Sequence, residues 1–123
     1  KVKMVPNTKE VEDYIVTCFE GGSNYWLKGF YSNLNYKNSA RHLAEVLTGF
    51  SDKDDLAVYA FEYDEDKENY THLPRNQRQL RESFMNFCDK NQQLCEKLLS
   101  DQWDASDTDN FLQLILFDKI IFG

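Results

Sequence analysis

The chain reads as an α+β domain in which four or five helices pack with a small antiparallel hairpin or sheet. Three observations predict this. Several segments place apolar residues at helical spacing between recognisable caps, and one central segment alternates apolar and polar residues at the period of a strand. The length, 123 residues, suits a single domain over residues 1–123 with one core. Aromatic residues make up 15% of the chain and charged residues 28%, so there is enough apolar surface to bury and disorder is a poor reading.

The first helix is predicted from Asn7 to Phe19. Asn7 is a good N-cap, and Glu10 three residues later completes a capping box. Val11, Tyr14, Ile15, Cys18 and Phe19 then define one apolar face, and Gly21-Gly22 ends the helix as a left-handed cap. Ser23 to Asn38 reads as a loop with a short extended piece, packed by its aromatics. A second helix is predicted from Ser39 to about Leu47, stopped by Gly49.

Leu56 to Tyr63 alternates as a strand, with Tyr70 to Leu73 returning as its partner and an acidic tip between them. From Pro74 the spacing of Leu80, Phe84, Phe87 and Cys88 is helical, with Pro74 tolerated in the first turn. Gln92 to Trp103 either continues that helix or forms another. Ser106, with Asp109 three residues on, caps a last helix through Phe117, and Ile120 to Gly123 forms a docked strand or tail.

Charge is polarised along the chain. Asp52 to Glu68 holds eight acids against two lysines, and Asp101 to Asp109 holds four acids and no base. Together they carry a net charge of −10 where the whole chain carries −7, which leaves +3 elsewhere. The candidate contact groups for a basic protein surface are therefore Glu62, Asp64, Glu65, Asp66 and Glu68 in the hairpin, with Asp101, Asp104, Asp107 and Asp109 beyond it. Asp101, Asp104 and Asp107 also approximate the 5–6 Å carboxylate spacing of a helix face, which could imitate nucleic-acid phosphates, although these positions cross a helix boundary. Direct nucleic-acid binding is not expected of so acidic a chain.

Catalytic and metal templates are absent. There is no Gly-rich phosphate loop, since Gly21-Gly22 follows a helix instead of opening one, and no serine in a nucleophile elbow. His42 and His72 stand apart without ligands at zinc spacing. Asp64, Asp66 and Glu68 resemble the start of a calcium loop, but Asn69 and Arg75 occupy the positions that need Gly and Glu. No enzyme activity, cofactor or metal is expected. The three cysteines, Cys18, Cys88 and Cys95, read as free, core-packed thiols of a reducing compartment. No apolar run is long enough to span a membrane, so a cytoplasmic protein is expected.

A second candidate site is a small-ligand or nucleotide pocket. Asn24, Tyr25 and Trp26 follow the double glycine, and one of Arg75, Arg78 or Arg81 would hold an anionic group. The bland alternatives are aromatics folded back on the core and arginines paired with surface acids.

Two runs carry a resemblance. Thr17 to Trp26, with its Glu20-Gly21-Gly22-Ser23-Asn24-Tyr25-Trp26 core, and Asp107 to Gly123, with Gln113, Phe117 and Ile121-Phe122-Gly123, resemble the two ends of small proteins encoded by bacteriophages and prophages. Asp118 departs from that pattern, where glycine is usual, as do the long acidic hairpin and the Gln92 to Trp103 segment. The resemblance implies an accessory protein acting in the cytoplasm of a bacterial host, with no known reaction attached. The expected function is binding, and inhibition of a host or anti-phage defence protein.

Overall fold

A computed structural model of the chain describes residues 4–49, 57–66 and 69–123, with backbone alone for residues 65, 66, 69 and 70. The fold is α+β. Among the described residues there are five α-helices and one three-stranded antiparallel sheet of order β1-β2-β3.

Helix α1 spans Thr8–Thr17, and its capping box is formed as the sequence predicts. The Asn7 side chain accepts from the Glu10 amide at 2.8 Å, and Glu10 Oε1 accepts from the Asn7 amide at 2.9 Å. Val11, Tyr14 and Ile15 face the core. The buried Tyr14 hydroxyl donates to the Leu98 carbonyl at 2.9 Å, which ties α1 to a segment 84 residues away. The helix does not stop on a left-handed glycine, as was expected. It widens into a π-helical turn over Cys18–Gly22, and Gly21 leaves helical geometry with φ 157° and ψ −26°. The wide turn keeps Cys18 buried while swinging the next residues toward the far end of the chain.

Strand β1, Leu27–Ser32, is the short extended piece predicted between Ser23 and Asn38. Its alternation is hard to read because the pairing with β2 shifts between Leu27 and Gly29, so Lys28 interrupts the period. Helix α2, Ala40–Thr48, follows prediction closely. Ser39 accepts from the His42 amide, and Gly49 ends the helix in the left-handed region at φ 84°, where a side chain would be strained.

Strands β2 (Val58–Asp66) and β3 (Asn69–Asn76) form the predicted hairpin. Its predicted start at Leu56, the acids before it, Glu68, and the side chains of Glu65 and Asp66 lie outside the described residues. Pro74 belongs to β3, opposite Ala60, and not to a helix. As an edge strand, β3 tolerates a residue with no amide hydrogen. Helix α3, Gln77–Lys90, starts on Asn76, which forms a capping box with Gln79.

The chain breaks at Asn91 (φ −128°, ψ 49°) before α4, Gln92–Leu99. Cys88 and Cys95 are therefore on two helices, each buried, and Cys18 is buried as well. Helix α5, Ala105–Phe117, is capped by Asp104 with Asp107, two residues earlier than Ser106 and Asp109.

One face of the sheet carries Phe30, Tyr59 and Phe61 into the core. There they meet Phe19 of the π-helical turn and His42 of α2. Across the helices, Phe111 of α5 receives Tyr14, Phe84 and Phe87 edge-on. No helix is long and apolar enough to cross a membrane among the described residues.

Candidate functional site

The π-helical turn and α5 bring the runs from Thr17 to Trp26 and from Asp107 to Gly123 into one cluster. Its centre is Asp109, a carboxylate only 6% exposed. Oδ1 accepts from Ser23 Oγ and from Trp26 Nε1, each at 2.7 Å. Oδ2 accepts from the Tyr25 hydroxyl at 2.5 Å and from Gln113 Nε2 at 3.0 Å. An ionised carboxylate has about four acceptor directions, and four donors take them. Gly22 permits the approach, since a Cβ there would stand 3.2 Å from the Ala105 carbonyl oxygen.

Gln113, fully buried, extends the cluster to the last residues. Its Oε1 accepts from the Ile121 and Phe122 amides at 2.9 and 2.8 Å, and its Nε2 donates to the Phe122 carbonyl at 3.0 Å. The Phe122 ring stacks on Trp26, 5.1 Å between centroids and 5° from parallel, with Phe117 and Tyr63 edge-on to it. The predicted docked tail is thus present, as irregular backbone and not as a strand.

This geometry corrects two of the expectations. Trp26 is 1% exposed and spends its face on Phe122 and its N–H on Asp109, so it offers no stacking platform to a ligand. Asp109 is turned inward, with both carboxylate oxygens taken by donors. Asp107 is likewise turned in, at 8% exposed, where it completes the α5 cap and receives Lys97 Nζ at 3.1 Å. Helix capping and donor satisfaction outweigh exposure for both acids. Asp101 is exposed, with a left-handed φ of 58°. Asp104 is also exposed, and the Asp107 amide hydrogen bond holds its carboxyl below the usual range.

Tyr25 is half exposed, and burial of its hydroxyl beside the Asp109 carboxylate pushes it up to about 12. Asn24 is exposed beside it. The three arginines do not form one helical stripe, because Arg75 is on β3. Arg75 donates to the Pro74 carbonyl, Arg78 pairs with Glu82 at 3.1 Å, and the Arg81 guanidinium lies against Gly49. None of them joins the Tyr25 cluster through a hydrogen bond or ion pair.

The hairpin acids are placed differently. Ala57, Tyr59 and Phe61 are buried, so the alternation of β2 turns Val58, Ala60, Glu62 and Asp64 to the outer face of the sheet. Asp64 has Lys28 at 4.0 Å, and Glu62 makes no hydrogen bond or ion pair through its side chain with a described residue. No group of three His, Cys, Asp or Glu side chains among the described residues is placed to hold a metal ion. No protein-family model, curated protein or solved structure matches the chain.

Proposed function

We propose that the chain is a non-catalytic binding protein that covers a basic surface on another protein through its acidic hairpin. The observation that carries this reading is how the acids divide. Of the second acidic segment, Asp107 and Asp109 are consumed in capping and packing, whereas Glu62 lies on the outer face of the strand whose segment holds eight acids against two lysines. A field of one sign on one side of a small domain raises the encounter rate with an oppositely charged partner and disfavours others. The resemblance to small phage proteins supplies the biological setting. In that setting the chain is an accessory protein in the cytoplasm of a bacterial host, and the partner is a host or defence protein that it inhibits.

The test is affinity capture with the tagged full chain from bacterial extract. We expect a stoichiometric protein partner with a basic surface, released as salt rises from about 0.1 M to about 1 M, because the Debye length contracts from ~10 Å to ~3 Å. The double variant Glu62→Lys/Asp64→Lys should lose it. Retention of a small molecule with no protein, or turnover of a substrate by the purified chain, would overturn the reading.

A further inference from the structure

In a sheet covered on one side, the uncovered face normally carries polar side chains. The outer face here is polar only toward Glu62, Asp64 and His72. The register runs Tyr31, Ala60 and Pro74 in one row across the three strands, and Gly29, Glu62 and His72 in the next. Val58 beside them is 45% exposed, and Pro74 and His72 are exposed. The Tyr31 ring passes over Gly29, where a Cβ would stand 2.8 Å from it. Tyr31, Val58, Ala60 and Pro74 thus make a low apolar strip with two carboxylates, Glu62 and Asp64, along one border.

We propose that this outer sheet face is the docking surface, and that its occupant is a protein presenting an apolar side chain ringed by lysine or arginine. This rests on the binding reading above and adds where the partner lies. Charge complementarity selects the occupant. Glu62 and Asp64 put carboxylates on the border of the strip. Lys28 is engaged with Asp64 at 4.0 Å, and Lys37 lies over the Tyr31 ring at 5.7 Å. Addition of a second copy along the sheet edge is opposed by Pro74, which leaves β3 without a continuous row of amide donors.

The experiment places a photo-crosslinking p-benzoylphenylalanine at Val58 in the full chain and, as a control, at the exposed Gln93 of α4, in bacterial cells. We expect an adduct from position 58 with one basic protein and none from position 93. In the purified pair, Ala60→Arg should weaken affinity by about 100-fold, the effect of a central interface disruption, with an unchanged circular dichroism spectrum. Adducts from position 93 alone, adducts with a second copy of the chain, or undiminished affinity of Ala60→Arg would overturn the docking surface while leaving a captured basic partner in place. Absence of any protein partner in the capture experiment would overturn the binding reading and the docking surface with it.

Discussion

Asp109 shows how one side chain decides the fate of a whole segment. Its oxygens accept four neutral donors from Ser23, Tyr25, Trp26 and Gln113, so removing its charge by Asp109→Asn places a donor amide among donors. We expect that substitution to cost about 3 kcal/mol, because buried donors lose their acceptor, as measured by urea unfolding. His42 is the second residue whose chemistry is set by its surroundings. It is 9% exposed, stacks on Tyr36 at 3.6 Å between centroids, and places Nε2 2.9 Å from the Tyr59 hydroxyl. Gln77 Nε2 donates to that hydroxyl at 3.1 Å, and the hydroxyl can donate in turn to a neutral imidazole. Burial lowers the His42 pKa, opposed by Glu45. The unfolded chain therefore binds the proton more readily, and stability must fall as pH drops through about 6.5, the ordinary histidine value. Denaturation midpoints between pH 7.5 and 5 should show this slope, and His42→Gln should reduce it.

At the scale of elements, caps set boundaries more firmly than apolar spacing does. Asp104 and Asp107 satisfy each other's amides at the start of α5 at 3.0 Å in each direction, whereas Ser106 lies exposed inside the first turn. Asp104→Ala should cost about 1 kcal/mol and Ser106→Ala should fall within about 0.5 kcal/mol of zero, compared by thermal or urea unfolding. A reversal of that order would place the cap on Ser106 as the residue pattern suggested. The tail is the other element with a clear test. Phe122 fills the space over Trp26, so Phe122→Ala should shift Trp26 emission to longer wavelength and speed amide exchange at Ile121. The expected loss of stability is about 2 kcal/mol, below that of a fully buried phenylalanine because Phe122 is half buried. Unchanged emission would mean the ring is not held there in solution.

For the whole molecule, the sequence by itself determined the α+β class, the capping box on Asn7, the stop at Gly49, the hairpin, the burial of three cysteines and the docking of the last residues. These follow from local chemistry, namely side-chain capping, left-handed glycine, period-two alternation and apolar content. Only the tertiary structure decided that Asp107 and Asp109 are buried. Asp107 and Asp109 look like surface charge in the sequence, because nothing local announces that a π-helical turn 86 residues earlier delivers Ser23 to Asp109. The same holds for β1, whose alternation the Lys28 irregularity hides. Pro74 reads as a helix start until pairing with Ala60 makes it an edge-strand residue. The outer row of Tyr31, Ala60 and Pro74 exists only as cross-strand register, which brings together residues up to 43 positions apart. Burial and register are long-range properties, and local residue preference carries no information about which distant surface a side chain will meet.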